Sequence, residues 1–300
     1  MSELIKSVTN NYDGVSIRDF LKEELGLSSR LIRRASIEKN IFVNDEAVRM
    51  RKTVHTGDVI KVNLNRQESQ DIVPENMDLD IVYEDTEILV VNKPPFIVVH
   101  PTKSYQSGTL SNGIIYYFQS TNQNCIVRLV SRLDMNTSGL IIIAKNQFAH
   151  MALSKEMQNN NVEKRYLAVV HGHLENEEGT IDAPIYREEE GERPSLKRVV
   201  DERGQRSITH YKLVQRLKDA DLVECKLETG RTHQIRVHLS YIGNPIFGDT
   251  LYGECDDTDF ISRQALHAYS LKLKSPRTME ELSLISDLPQ DIKDLIKKLS

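Results

Sequence analysis

The stretch Ser131-Arg132-Leu133-Asp134-Met135-Asn136-Thr137-Ser138-Gly139-Leu140 joins a polar loop to an apolar run at 139–144. A short apolar run stopped by Lys145 reads as a buried strand. A carboxylate just ahead of such a strand is well placed to project from the sheet into a cleft. Taken bare, Arg-x-Asp is also a common surface ion pair, so the stretch alone leaves a structural reading open.

Working outward, runs at 79–83, 88–92, 166–170, 208–214 and 222–227 also read as strands, and 147–159 and 232–242 as helices. Residues 288–299 have the spacing of a short amphipathic helix. The strands follow one another without regular crossover helices, which predicts a mixed, mostly antiparallel sheet of the α+β class. The front of the chain has a different rhythm. Ser16 can cap a helix stopped by Gly26, and Ser28 a second one ended by Asn40. Ile41-Phe42-Val43, the turn Asn44-Asp45 and the strand at 59–62 complete a small module. This predicts a module at 1–62, a polar linker at 63–77 and a large domain at 78–300.

The chain has 300 residues, with Lys+Arg 39 against Asp+Glu 44 and a net charge of −5, which excludes a uniformly basic coat. Hydrophobic residues are 39%, enough for a real core. No apolar run approaches the roughly 20 residues of a membrane helix, and Met1-Ser2-Glu3 does not open a secretory signal. Cys125, Cys225 and Cys255 are far apart, so neither a disulfide framework nor a thiolate zinc site is expected. A reducing, cytoplasmic setting follows. Arg30, Arg33 and Arg34 share one face of the second helix, with Lys39 at its end. Such a cluster suits phosphate oxygens, and equally a solvated helix face.

Residues 14–61 resemble the alpha-L RNA-binding domain, a module shared by a ribosomal small-subunit protein and tyrosyl-tRNA synthetases. The resemblance rests on Arg30-Leu31-Ile32 with the basic positions after it, on Ile41-Phe42-Val43-Asn44-Asp45 and on Thr56-Gly57-Asp58-Val59-Ile60. It implies binding of structured RNA, with Arg30, Arg33, Arg34 and Lys39 as the contacts.

Residues 79–275 resemble the RluA-like family of RNA pseudouridine synthases. In order, the matching blocks are Val91-Asn92-Lys93-Pro94, Arg132-Leu133-Asp134, Lys164-x-Tyr166, the run from Leu227 to His238 around Gly230-Arg231-Thr232-His233, Gly248-Asp249 with Tyr252-Gly253, and Leu266-His267-Ala268. The resemblance implies an isomerase that detaches uracil from ribose, turns it and reattaches it through carbon. It makes Asp134 the catalytic carboxylate, Arg231 its salt-bridge partner, and Tyr166 the ring that stacks on the base. Arg132 is the residue that fills the gap left by a flipped nucleotide, and Leu266 packs beneath the ring. Ser131 departs from the family, which usually has His there.

The expected partner is structured RNA, with large-subunit ribosomal RNA preferred and transfer RNA second. A non-catalytic RNA-binding or ribosome-assembly factor on the same fold is the alternative from another class. A glycosidase-like hydrolase, which needs a second carboxylic acid at a fixed distance from Asp134, ranks last. His233 and His238, five apart, diverge by about 140° on a helix, so no metal is expected; no Gly-rich phosphate loop is present and the implied isomerisation needs no cofactor. The family also implies a monomer. Residues 175–192 hold eight acids and one base, Arg187, a net −7 that leaves +2 for the rest of the chain. This stretch is expected to form one surface hairpin directed away from RNA.

Overall fold

The computed structural model describes residues 3–63, 70–190 and 193–300, with the side chains of 189–195 left aside. The front module opens on strand β1 (Glu3–Ser7), followed by helices α1 (Ile17–Glu23) and α2 (Ser29–Ile37) and strands β2 (Ile41–Val43), β3 (Glu46–Ala47) and β4 (Val59–Asn63). Ser16 and Ser28 cap the two helices, accepting from the N–H groups of Asp19 and Leu31. β1 was not foreseen. It pairs antiparallel with β4 and completes a four-stranded sheet ordered β1-β4-β2-β3. Phe20, Leu21, Ile32, Ile41 and Ile60 form its core.

The large domain contains β5 (Asp80–Glu84), β6 (Ile88–Lys93), α3 (Leu110–Ser120), β7 (Arg128–Leu129), β8 (Ser138–Ala144), α4 (Gln147–Gln158) and β9 (Glu163–His171). It continues with β10 (Glu178–Asp182), β11 (Ile185–Glu190), β12 (Arg193–Val200), β13 (Ile208–Leu217), β14 (Ala220–Leu227), α5 (Gln234–Tyr241), β15 (Leu266–Lys274), β16 (Glu281–Ile285) and α6 (Gln290–Leu299). The main sheet runs β10-β13-β14-β9-β15-β8-β6-β5. Among the described pairings only β8 with β15 is parallel, as a mixed, mostly antiparallel α+β sheet requires.

β6 and β8 are buried on both faces. Leu89, Val91, Ile141 and Ile143 pack under Leu110, Ile114 and Phe118 of α3. Ile88, Val90, Leu140 and Ile142 pack under Ala149 and Leu153 of α4. Alternate residues of one strand thus serve two layers, and each large apolar side chain contributes about 1.5–3 kcal/mol by leaving water. This burial fixes the end of β8, and with it the loop that holds Asp134. Gly139 makes the parallel contact possible. Its φ is +112°, and a Cβ there would collide with the Ala268 backbone, so only glycine lets β15 lie against β8.

The expected linker at 63–77 lies partly outside the described residues. Its second half is bound to the large domain: Gln70 exchanges side-chain hydrogen bonds with the Val127 backbone and Ile72 is buried. The acidic stretch does not form one hairpin. Glu178 and Asp182 lie on β10, which pairs with β13, and later acids on β11, which pairs with β12. Gly191 and Glu192 fall outside the described residues.

Candidate active site

Asp134 sits in the short loop between β7 and β8. The loop closes on itself, with the Thr137 N–H donating to the Asp134 carbonyl, and is held from beneath by two buried cations. Lys93, at the end of β6, donates to the carbonyls of Pro94, Ile97 and Met135 at 2.7, 3.1 and 2.9 Å. Arg263 donates to the Asn136 carbonyl at 3.0 Å and is gripped by both carboxylate oxygens of Asp291 on α6. Burial, with the Arg263 charge, pushes Lys93 down to about 7, while Asp134 draws it up.

The carboxylate faces a cavity of about 570 Å³ whose lining includes Arg132, Tyr166, Arg231, Arg236 and Leu266. Five cationic side chains line it (Arg132, Lys164, Arg206, Arg231, Arg236) against two carboxylates, Asp134 and Glu228. None of residues 175–188 does, so the acids from Glu175 to Glu188 stay out of the cavity. The wall is therefore suited to a polyanion.

The ion-pair partner of Asp134 is Arg236, not Arg231. Arg236 Nη1 lies 3.2 Å from Asp134 Oδ2. Arg231 is exposed, and its Nε donates to the Arg206 carbonyl at 3.3 Å. The reason is where the helix begins. His233 adopts the left-handed conformation, φ 59°, and α5 starts only at Gln234. Arg231 therefore precedes the first turn, while Arg236 lies within it. Asp249 binds Arg236 bidentately, at 2.6 and 2.8 Å, and the Tyr252 ring lies 5.0 Å from the guanidinium carbon. Asp249 is fully buried and also accepts the N–H groups of Leu251 and Tyr252. One guanidinium thus bridges a buried structural carboxylate and a part-exposed one.

His233 completes the wall. The Tyr252 hydroxyl accepts from the Arg198 N–H and lies 2.9 Å from His233 Nδ1, leaving Nε2 at 3.9 Å from Asp134. Burial holds the His233 pKa below its usual value, against the pull of Asp134. His238 is structural: it bridges Thr209 and the Ala183 carbonyl. Among the described residues no histidine, cysteine and carboxylate cluster suits a metal, and no helix is long and apolar enough to cross a membrane.

Tyr166 on β9 and Leu266 on β15 are both buried and both line the cavity, which places an aromatic ring and an aliphatic side chain at its floor. Burial, reinforced by Asp134, raises the Tyr166 hydroxyl pKa, so the phenol stays neutral. Ser131 and exposed Arg132 stand at the rim. In the front module Arg30, Arg33 and Lys39 are exposed, while Arg34 is paired with Glu38 at 2.9 Å. A carboxylate oriented by one arginine beside a buried ring can act as a nucleophile or a base toward a sugar whose base lies on that ring.

Comparison with known proteins agrees with this geometry. A profile described as RNA pseudouridylate synthase matches residues 87–241. The chain belongs to this family. The front of this pseudouridine synthase matches the RluD ribosomal pseudouridine synthase N-terminal domain over residues 5–60. The synthase is 42% identical over 276 residues to an uncharacterized RNA pseudouridine synthase of Bacillus subtilis, YjbO, covering 91% of this chain and 96% of that one. It is 38% identical over 237 residues to the ribosomal large subunit pseudouridine synthase D of Zymomonas mobilis, covering 75% and 74%. The solved structure of human RNA pseudouridylate synthase domain containing 1 is also similar, with a TM-score of 0.57, 26% identity, and 77% and 97% coverage. The protein is thus an isomerase acting on RNA.

Proposed function

We propose that this synthase isomerises uridines in large-subunit ribosomal RNA, with Asp134 as the catalytic carboxylate. The observation that carries the reading is the 3.2 Å contact of Asp134 with an arginine already clamped by Asp249, beside the Tyr166 ring in one cavity. The N1–C1′ bond breaks, the base turns on Tyr166, and a C5–C1′ bond forms. C5 loses a proton and N1 gains one, so the product is an isomer and no cofactor is consumed. Asp134 starts the reaction either by attacking the sugar or by removing a ribose proton. The target base must leave the RNA stack to reach this floor, and Arg132 at the rim is suited to fill its place. Leu266 supports the ring from below.

Ribosomal RNA is favoured by the front module, which matches an RluD N-terminal domain, and by relatives named ribosomal large subunit pseudouridine synthase D. Exposed Arg30, Arg33 and Lys39 are its candidate phosphate contacts, with Arg34 secondary because Glu38 holds it. The test is pseudouridine mapping in RNA from a strain lacking the protein, before and after treatment with purified wild-type or Asp134→Asn protein. Wild type should restore sites in large-subunit RNA, and Asp134→Asn should bind RNA but restore none. Sites confined to transfer RNA would refute the substrate, and restoration by Asp134→Asn would refute the mechanism.

A further inference from the structure

Phe96 occupies a backbone conformation in which a bulky side chain is disfavoured. Its φ is +65°, in the left-handed region where the Cβ of an L-residue crowds the following carbonyl. The residue is 55% exposed, so burial does little to offset the strain. The segment is nevertheless firmly held. Lys93, fully buried, donates to the carbonyls of Pro94 and Ile97, which bracket Phe96, and to that of Met135, the neighbour of Asp134. Because one ammonium bonds all three, the Ile97 and Met135 oxygens lie within about 6 Å of each other. Met135 is itself 37% exposed. Strain that the surroundings over-determine, on an exposed residue beside a reaction centre, points to a ligand contact.

We propose that Phe96 is a binding residue for the RNA substrate, its ring a stacking platform for an unpaired base next to the extruded uridine. The inference rests on the reading of Asp134 as the reaction centre. Extruding one nucleotide unstacks its neighbours, and an exposed ring on a segment that Lys93 ties to the Asp134 loop can recover one of those stacks. Every base has a π-face, so the contact tolerates sequence. It contributes affinity and register, while the cationic rim contributes charge.

Phe96→Gly separates this role from a structural one, because it removes the ring and relieves the left-handed strain together. Restored sites in RNA from a strain lacking the protein are first mapped with wild type, whichever RNA carries them. A transcript bearing one such site then serves for steady-state kinetics with wild type, Phe96→Gly and Phe96→Tyr. Phe96→Gly should melt at or above the wild-type temperature. Its KM should rise about 5- to 150-fold, the range of one base–aromatic stack, with kcat unchanged. Phe96→Tyr should keep the wild-type KM. Sites found only in transfer RNA would remove the ribosomal reading and leave this test intact. A Phe96→Gly KM within twofold of wild type would overturn the inference while leaving the reaction assignment standing, as would a loss confined to kcat.

Discussion

Replacing Arg236 by lysine asks whether the arginine that the fold places beside Asp134 is the one that matters. Arg236 makes three charge-assisted bonds: 2.6 and 2.8 Å to Asp249 and 3.2 Å to Asp134. A single ammonium cannot span both carboxylates in this geometry. It should stay with Asp249, which is fully buried, rather than with Asp134, which is 27% exposed and can be rehydrated. Arg236→Lys therefore loses one bond to Asp249 and the bond to Asp134. Bonds to charged partners contribute about 1.5–3 kcal/mol each. Water compensates at Asp134, so the stability loss should be about 3 kcal/mol, from the Asp249 side. The catalytic loss is larger, because a freed carboxylate misplaced by about 1 Å costs on the order of 100-fold. Arg231→Lys changes an exposed contact, worth at most about 1 kcal/mol, and should alter kcat by less than about fivefold. Thermal melts and pseudouridine formation on a mapped transcript measure both variants. If Arg236→Lys keeps kcat within threefold, or Arg231→Lys loses as much, the assignment of the ion pair is wrong.

Asp291→Asn keeps shape but leaves Arg263 a buried, uncompensated cation, so it should cost about 3–5 kcal/mol and lower kcat at least tenfold through the Asn136 carbonyl. Leu295→Ala, a cavity in the same helix costing about 2–5 kcal/mol, should lower the melting point without lowering kcat below melting; equal kcat losses would deny the loop clamp. His267 is buried, accepts from Ser138 and donates to the Ser286 carbonyl, and burial pushes it down to about 4. Its folded pKa is below the unfolded one, so its contribution is intact above about 6.5 and is lost as pH falls to about 4, a change of about 3 kcal/mol. Denaturant melts of His267→Gln should lack that portion of the acid slope, and an unchanged slope would refute it. Arg30→Ala with Arg33→Ala should weaken binding of folded ribosomal RNA and reduce the log–log salt slope by about one to two. An unchanged slope would take the front module out of RNA binding.

The sequence was readable where burial is one-sided or local. The caps at Ser16 and Ser28, the strand after Asp134 and the amphipathic C-terminal helix all follow from patterns within a few residues. α3 escaped because Leu110, Ser111, Asn112, Gly113, Ile114 and Ile115 are all buried, so its first half has no solvent face to impose a period. β10 and β11 escaped because their acids hide the strand pattern. The motif that contains both Arg231 and Arg236 was visible, but choosing between them required the start of α5, and that depends on one left-handed residue. Asp249 could have been the clue: a lone acid after Gly248, in a matched block, needs a cation once it is buried. Lys93 and Arg263 are read only in three dimensions, since each bonds backbone carbonyls supplied by distant turns.

Those two cations explain how the loop can be rigid without its carboxylate being neutralised. Lys93 and Arg263 act on the carbonyls of Met135 and Asn136 and do not bond Asp134 itself. Arg263 is balanced by Asp291, and Arg236 by Asp249, before Asp134 is counted. Lys93 uses all three of its N–H donors on the carbonyls of Pro94, Ile97 and Met135, so it acts on Asp134 only through space. Asp134 therefore holds an anionic charge that its neighbours orient rather than cancel. Both of its ion-pair contacts fall on Oδ2, leaving Oδ1 without a hydrogen bond among the described residues. If Asp134 takes the first of the two proposed routes, positive charge develops on the sugar as the bond from C1′ to the base breaks. A fixed, incompletely neutralised carboxylate stabilises that charge without reorganising. The other cations of the cavity lining are Arg132, Lys164, Arg206 and Arg231, none of which bonds Asp134 among the described residues. On the proposed reading, positive charge suited to phosphate and negative charge suited to the sugar stand on different side chains of one cavity, so a chain with a net charge of −5 can still present a cationic wall to a polyanion.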